Sequence, residues 1–346
     1  MSIKTLAPKS ISWISGLFIL LLFSMVFSVM TGAVRLPFHL TWQILLNHLP
    51  FLSLDATWTM AQETIVWNLR LPRVFLALVV GAMLAASGVA FQGILRNPLA
   101  DPYILGVSSG AAFGAATSIV FFRSSSFFGH LSLPLFSFAG GLISLGFVLA
   151  LSKQQGQHER ETLILSGVVV QSLLGAFLSF LIAISGQQMQ EIVFWMMGSL
   201  ANRTWTDVFI LLPYFLIGLT YLLFQQRDLN VLALGERAAT HLGMNVEQKK
   251  IIILVVGSLL TAAAVSVVGI IGFVGLIVPH LMRLSVGPDH RILLPVSTLA
   301  GAIFLLWSDT LARTLLESRE IPIGVITAFV GAPFFGYLLK NRLRRD

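Results

Sequence analysis

The sequence of 346 residues contains no cysteine and few charged residues. Without cysteine there is no disulfide, no thiolate ligand for a metal and no cysteine nucleophile. Charged residues make up 11% of the chain, whereas soluble domains carry about a quarter. Hydrophobic residues make up 56%, which identifies an integral membrane protein. Because no segment has the composition of a soluble domain, residues 1–346 are predicted to form a single polytopic domain.

The sequence also lacks the usual signatures of an enzyme. It has no GxxxxGKS/T phosphate loop and no HExxH motif, and its seven histidines are scattered. Predicted helix interiors are almost free of charge, with Gln92, Gln171 and Asp309 as the main polar exceptions, all near helix ends. A carrier that couples to ions needs ionisable groups inside the membrane. We therefore expect neither catalytic residues, nor a metal site, nor ion coupling in this chain.

Long charge-free runs are the dominant feature that is present. The run from Val74 to Leu95 has 22 residues, which at ~1.5 Å per residue span about 33 Å, enough to cross a ~30 Å hydrocarbon core. The polar turn RNPLADP follows, and the run from Pro102 to Phe122 is again free of charge. The sequence therefore predicts two successive crossings of the membrane.

Both of these runs carry small residues at helical spacing. Gly106, Gly110 and Gly114 recur at every fourth position in the second run, and Gly81 and Gly88 lie in the first. In lipid, helices associate through close backbone packing, which small residues permit. The spacing favours a helix-packing role for these glycines, although glycine is common in membrane helices and the pattern alone leaves both interpretations open.

The charge-free run from Ile251 to Met282 needs two crossings. A single helix of its 32 residues would be about 48 Å long, too long for the core without severe tilt. Basic loops flank the run at both ends, so both ends are predicted on the cytoplasmic side and the run must cross the membrane twice. The break between the two crossings is predicted at Gly269 to Gly275. The chain then has ten transmembrane helices: Ile11–Thr31, Val74–Leu95, Ile104–Phe122, Leu135–Leu151, Thr162–Ser185, Val208–Phe224, two within Ile251–Met282, Ile292–Trp307 and Pro322–Leu339.

The basic excess lies on one side of this predicted bundle. With the basic tail in the cytoplasm, 15 cations and eight acids are inside, and seven of each are outside. The net charge of +7 is then wholly cytoplasmic, which favours the positive-inside rule over nucleic-acid binding as its cause. Both termini are predicted to be cytoplasmic. The predicted external cations are Arg35, Arg70, Arg73, Arg123, Arg203, Arg313 and Arg319.

The most charged loop, at about 226–250, contains a candidate docking segment. Gly235 and Gly243 divide the loop into short helices rather than one rod. A short amphipathic helix in a basic cytoplasmic loop fits a groove on a partner, but it also suits a linker resting on the membrane, and the residues leave the two readings open. Leu234, Ala238, Ala239 and Leu242 lie at helical spacing, with Glu236, Arg237 and His241 on other faces.

Six segments carry a family resemblance that extends in order over nearly the whole chain. They are LRLPR (69–73), NPLADPYILGVSSGA (97–111), LGERAATHLGM (234–244), GFVGLIVPHLMR (272–283), DHRILLP (289–295) and IPIGVITAFVGAPFF (321–335). Together they resemble the FecCD-type permeases of type II ABC importers, which carry iron-siderophore complexes, haem and vitamin B12.

The resemblance implies an all-α subunit of ten transmembrane helices, similar to the vitamin B12 importer permease. It implies a dimer with a second permease subunit, identical or different, in the bacterial cytoplasmic membrane. Two cytoplasmic ATP-binding subunits and an extracytoplasmic substrate-binding protein complete the implied assembly, and nucleic acid has no part in it. ATP and Mg would bind to the partner ATPase subunits, with no cofactor on this chain.

The resemblance also implies roles for particular residues. Docking of the binding protein falls to Arg70, Arg73 and Arg313, although Arg70 and Arg73 also suit simple anchoring of a helix at the interface. Coupling to the ATPase falls to the seven residues named above together with Gly235 and Gly243, nine residues in all. The translocation path or its gate is implied at Arg160, Glu161, Ser166, Gly167 and Gln171. Some relatives have small hydroxyl residues where this chain has charges in that hairpin.

The expected cargo is an iron(III)-siderophore-type chelate, the commonest class in the family. Vitamin B12 (cobalamin) and haem are the alternatives, and WMMG at 195–198 is similar to B12 permeases. A secondary carrier is the alternative from a different class, and it would need an intramembrane carboxylate or an inverted repeat with broken helices. A membrane scaffold without transport is a third. Co-purification of an ATPase separates these classes, because only the importer requires one.

Overall fold

The computed structural model describes residues 8–32, 34, 36–48, 57–122, 131–154, 157–316 and 319–342. The predicted external cations Arg35 and Arg123 lie outside these residues. Two-residue antiparallel strands, β1 (Lys153–Gln154) and β2 (Gln157–His158), form a hairpin. The helices are α1 (Pro8–Met30), α2 (Phe38–Asn47), α3 (Met60–Glu63), α4 (Leu71–Ile94), α5 (Val107–Phe121), α6 (Ser132–Ser152), α7 (Arg160–Ile184), α8 (Met189–Met196), α9 (Trp205–Phe224), α10 (Gln226–Ala233), α11 (Glu236–His241), α12 (Val246–Val268), α13 (Val274–Val286), α14 (His290–Ala312) and α15 (Ile323–Arg342).

The described helices include seven that are long and apolar enough to cross a membrane and three shorter apolar ones. The seven are α1, α3 continued through α4, α6, α7, α9, α12 and α14, and the shorter three are α5, α13 and α15. Their number and order are those predicted from the sequence. The chain is a multi-pass, all-α membrane protein.

The helix that contains α4 begins earlier than predicted. A capping box at Thr59 and Gln62 starts it, and a π-helical segment, Thr64–Arg70, joins α3 to α4. The sequence predicted a helix that starts at Val74, because the charged Arg70 and Arg73 before it suggested a water boundary. The structure continues the helix through them, because both Arg70 and Arg73 have hydrogen-bond partners within the chain.

α4 is the central helix. In the membrane-spanning stretch that contains it, 89% of the most apolar part is buried inside the protein, against 17% for α1 and 22% for α7. It packs against α9, α12, α13 and α14. The approach is closest at two glycines: a Cβ on Gly81 would overlap the carbonyl of Gly301, and one on Gly88 would overlap that of Gly275. Backbone therefore lies directly on backbone along both contacts.

α5 and α6 show the same kind of contact. A Cβ on Gly110 would overlap the carbonyl of Gly140, and one on Gly114 would overlap that of Phe136. Gly106 differs from the predicted pattern because it precedes the helix, with φ +77° in the left-handed region that glycine adopts readily. Its carbonyl accepts a hydrogen bond from Ser144 Oγ at 2.8 Å.

The break between α12 and α13 falls at residues 269–273, inside the predicted range. The first turn of α13 lies beside the middle of α4, where Gly275 packs against the carbonyl of Leu84. Tyr103 Oη donates a hydrogen bond to the carbonyl of Ile271 at 2.9 Å. The 13 residues of α13 therefore extend only about 20 Å, starting within the bundle.

Charged residues sort into two layers, as the predicted topology requires. The ion pairs found among the described residues join partners predicted to share a side of the membrane. Arg73 with Asp309 represents the external layer, and Arg160 with Glu236 the cytoplasmic one. The interior between the layers is held together by apolar packing and by hydrogen bonds to backbone.

Gly88→Ala is expected to destabilise the fold, because its methyl group would overlap the backbone of α13. Overpacking of this kind costs about 1–3 kcal/mol or more. Thermal unfolding in detergent measures the effect, with Gly146→Ala as the control, since a Cβ at Gly146 meets nothing within 4 Å. Equal midpoints for the two variants would contradict the packing described here.

Candidate functional site

A cavity of about 360 Å³ opens on the face predicted to be external. It lies between the end of α1, the start of α4, the segment before α9 and the end of α14. Among the residues that the structure describes, one acidic side chain, that of Glu320, lines the cavity together with five basic ones. This excess of positive charge suits an acidic group on a partner. The basic residues are Arg70, Arg73, Arg203, Arg313 and Arg319.

Arg73 is fixed on one edge of its guanidinium and less firmly held on the other. Its Nε and Nη2 donate to Asp309 Oδ1 at 3.0 and 2.9 Å, and the Asp309 side chain is fully buried. Its Nη1 donates to Glu320 Oε1 at 2.9 Å, and 46% of the Glu320 side chain is exposed. The inner carboxylate therefore orients Arg73, while the outer one occupies the edge that faces the cavity.

Arg70 and Arg313 attach the end of α1 to the bundle. Arg70 Nη1 donates to the carbonyls of Val29 and Met30, both at 3.0 Å, which satisfies acceptors at the carboxyl end of α1. Arg313 Nη2 donates to Ser28 Oγ at 2.6 Å. Burial lowers the pKa of Arg313, partly offset by the charge of Asp309. The contacts of Arg70 join the segment before α4 to the end of α1, and the docking role of Arg70 stays a prediction.

Three residues of this cavity, Arg203, Arg319 and Glu320, were not among the predicted docking residues, although the two arginines were predicted to be external. Burial also lowers the pKa of Arg203, with Asp207 acting in the opposite direction. All three residues lie in short polar segments between apolar helices, which is the signal that could have identified them. Their meeting with α4 depends on contacts between distant parts of the chain.

On the opposite face, the loop of α10 and α11 has the predicted form. Two short helices are separated at Gly235, with φ +120°, and α11 is followed by Gly243, with φ +82°. The predicted apolar face is divided, because Ala239 is buried, whereas Leu234 and Leu242 are about two-thirds exposed, at 69% and 67%. The outward surface therefore presents two leucines beside the exposed Arg237 and His241.

A second cavity, of about 620 Å³, joins this loop to the start of α7. Arg160 and Glu161, predicted at the gate, share it with Glu236, Arg237 and Ala238 of the predicted coupling segment. Arg160 Nη2 lies 3.6 Å from Glu236 Oε1. The structure thus brings the two predicted sites together at this face.

Two of the residues predicted for the path, Gly167 and Gln171, lie against the turn before α5. Gln171 Nε2 donates to the carbonyls of Tyr103 and Ile104, both at 3.0 Å, and a Cβ on Gly167 would overlap the Ile104 carbonyl. Ser166 is buried, and a role of the three residues in the path stays a prediction. The exposed face of α7 is apolar and carries Leu165, Val168, Val169, Leu173, Phe177 and Phe180.

An apolar cavity of about 650 Å³ lies between the end of α8, the break before α13 and α15. Phe273 stands at its edge with φ +69°, a left-handed conformation that is uncommon for an aromatic residue. Its ring packs against the backbone at Gly331. The other large side chains lining the cavity are those of Met196, Met197, Ile270 and Phe329.

Comparisons with known proteins agree with this architecture. The FecCD transport family model matches residues 20–341. The cobalamin import permease BtuC of Halobacterium salinarum is 50% identical over 280 residues, covering 81% of this chain and 74% of that protein. The hemin transport permease HmuU of Yersinia pestis is 41% identical over 338 residues, covering 95% and 96%. A solved structure assigned to an inward-facing, metal-chelate type ABC transporter aligns with TM-score 0.81 and 36% identity, covering 95% and 98%.

Two variants separate the inner and outer partners of Arg73. Asp309→Asn leaves a largely buried guanidinium short of its fully buried partner and is expected to cost about 3–5 kcal/mol of stability. Glu320→Gln removes a half-exposed partner and is expected to cost under about 1 kcal/mol. Thermal unfolding of both proteins in the same detergent tests the ranking, and a larger loss for Glu320→Gln would refute it.

Proposed function

The chain belongs to the FecCD transport family of ABC importer permeases, and we propose that its cargo is an iron(III)-siderophore-type chelate. The observation that carries the proposal is the family match over residues 20–341. A permease is a transport component rather than an enzyme, and it works with ATPase and binding-protein partners. In the proposal, ATP and Mg bind to two separate cytoplasmic subunits, and this chain binds no cofactor.

We propose that the permease works as a dimer in the cytoplasmic membrane, with a second permease subunit and both termini inside. The exposed face of α7 supports this arrangement, because its large apolar side chains are suited to lipid or to another subunit. The apolar cavity beside Phe273 and α15 would then border the path between the two subunits. Arg160 and Glu161 would lie at its cytoplasmic gate.

Docking of the ATP-binding subunit is proposed at α10 and α11. The exposed pair Leu234 and Leu242 offers apolar contact area, and the neighbouring Arg237 and His241 offer polar contacts. Apolar anchors of this kind, surrounded by polar groups, are typical of protein interfaces. The geometry favours a partner over the membrane surface for this segment, because Ala239 already packs inward and the two leucines point away from the bundle.

Docking of the binding protein is proposed at the arginine-lined cavity. Arg73 would turn the edge of its guanidinium that now contacts the half-exposed Glu320 toward a partner carboxylate, with Arg313 and Arg319 nearby. Arg70 would contribute mainly by holding the end of α1 at the rim. The positive cavity would steer an acidic surface and fix its orientation.

A cobalamin or haem cargo is the second candidate. It is supported by the apolar cavity lined by Met196, Met197, Phe273 and Phe329, since large macrocycles present apolar faces to such surfaces. The relatives named for cobalamin and hemin share 50% and 41% identity with this chain. The secondary carrier remains the candidate from a different class. Asp309, the carboxylate that such a carrier would use, is already paired with Arg73.

Reconstitution in proteoliposomes tests the function. The permease, with its genomically adjacent ATPase and binding protein, is expected to take up one loaded cargo from a panel of ferric siderophores, haem and cobalamin, and to require ATP. Uptake and ATP hydrolysis are measured together, because stimulation by one loaded binding protein identifies the cargo. Uptake without the ATPase would overturn the importer assignment in favour of a secondary carrier.

Substitutions at two exposed residues, Glu320 and Arg319, test docking at the cavity, because they are expected to change the affinity in opposite directions. Glu320→Gln removes an acidic group that lines the cavity beside the five arginines and is expected to tighten binding-protein association severalfold, whereas Arg319→Glu is expected to weaken it. Both effects should shrink as salt is raised, because surface charge interactions are screened. Association is measured with the permease complex in nanodiscs. Arg237→Glu on the opposite face serves as the control, and equal affinity for all variants would exclude docking here.

A further inference from the structure

Lys250 is an unusual lysine in the layer that carries α10 and α11. Only 2% of its side chain is exposed, whereas lysine is almost never fully buried unless it is paired. It lies in the first turns of α12, one residue after Lys249, whose side chain is 37% exposed. A buried ammonium must be matched by carboxylates, because an unpaired charge in such a place is costly.

Two carboxylates from different elements match the charge of Lys250. Its Nζ lies 3.4 Å from Glu236 Oε1 and 3.1 Å from Glu247 Oε2. Glu236 is the first residue of α11, and Glu247 belongs to α12 itself. Lys250 therefore fastens the short helix α11 to the long helix α12.

Each of these two carboxylates also contacts the segment that leads from α6 into α7. Glu236 also pairs with Arg160, at the first turn of α7. Glu247 Oε1 accepts a hydrogen bond from the backbone N–H of His158 at 2.9 Å and contacts its Nδ1. His158 Nε2 faces the carbonyl of Leu149 in α6 at 3.1 Å.

These contacts form one network with two routes from α11 to α7. One route runs directly through Glu236 and Arg160. The other runs through Lys250 and Glu247 to His158 in strand β2, the second strand of the hairpin. Lys250 is the group that joins the routes, because it contacts both carboxylates. Movement of α11 relative to α12 must strain or rearrange these contacts. Because the same contacts include His158, the movement also acts on the hairpin.

We propose that Lys250 is a positioning residue that transmits displacement of α11 to the β1–β2 hairpin and the start of α7. The inference rests on the proposed function, in which α11 docks an ATP-binding subunit. Lys250 contacts neither ATP nor cargo. It makes the short helix and the hairpin move together, so that closure of the ATPases changes the opening between α7 and its surroundings.

The neighbouring lysine provides a matched control. Lys249 Nζ lies 2.6 Å from Asp228 Oδ2 and 2.8 Å from Gln225 Oε1, so it bonds to α10 and the residue before it. Lys249 lies in the same helix as Lys250, next to it in the sequence, and carries the same charge. Among the ion pairs of the described chain, however, it has no contact with Glu236 or Glu247. Lys249→Met and Lys250→Met thus differ chiefly in whether the network is cut.

The first measurement is the number of cargo molecules imported per ATP hydrolysed by the reconstituted complex. Lys250→Met is expected to retain the bound ATPase and to lower this ratio about 5-fold or more, the scale of a typical coupling energy between sites. Lys249→Met is expected to keep the wild-type ratio, and Lys250→Arg to recover part of it. An unchanged ratio in Lys250→Met would overturn the inference.

The second measurement follows the movement itself, and the absence of native cysteine makes it direct. Spin labels on Thr240→Cys in α11 and Glu159→Cys beside the hairpin report their separation with and without ATP. The labels are expected to keep a nearly constant separation in the wild-type background and to separate on ATP binding in Lys250→Met. Equal changes in both backgrounds would refute transmission by Lys250.

Folding and function are separated by two further comparisons. Glu247→Gln keeps the size of its side chain, so it tests the network even where Lys250→Met fails to assemble, and it is expected to lower the transport ratio similarly. A wild-type ratio in Glu247→Gln would count against the inference. Absence of ATP-dependent uptake by the unsubstituted complex would overturn the proposed function and the inference together, whereas normal uptake with an intact ratio in Lys250→Met overturns the inference alone.

Discussion

Close backbone contact along α4 is the interaction on which the rest of the structure depends. Gly81 and Gly88 bring the backbones of α14 and α13 against this central helix, where no hydrophobic gain over lipid would otherwise hold them. The contact fixes the position of α13, and with it the short break at residues 269–273. It also fixes α14, which carries Asp309 to one face and begins beside Asp289 at the other. Both charged layers are therefore positioned by packing in the middle of the bundle.

The two faces use charge in different ways. On the external side, Asp309 is buried and holds Arg73 in one orientation, while the exposed Glu320 shares the same guanidinium. On the opposite side, Lys250 is buried and holds two carboxylates from separate elements. Asp309 thus sets the orientation of one side chain, whereas Lys250 joins elements from separate parts of the chain. The contrast follows from which elements supply the partners.

Helix number, order and the double crossing at Ile251–Met282 followed from hydropathy and charge, because the thickness of the membrane limits the length of each element. Two kinds of feature did not follow. Arg70 and Arg73 suggested a helix boundary, but partners far away in the chain allow the helix to pass through them. The contacts of Gln171, whose amide satisfies carbonyls of an irregular turn inside the bundle, also had no signal in the sequence. In a nonpolar medium, polar side chains often serve the protein's own backbone, and sequence alone does not reveal which carbonyls are left open.

The short helix α13 has a consequence for how the chain is made. Its 13 residues cannot cross a ~30 Å hydrocarbon core alone, and its first turn rests on α4 instead of reaching the far surface. During synthesis α13 emerges after both α4 and α12, so the helices that receive it are already present when it enters the bilayer. The segment is thus placed by the earlier part of the protein rather than by its own hydrophobicity. Insertion of this region is a folding event, and its success depends on Gly88, made almost two hundred residues before it.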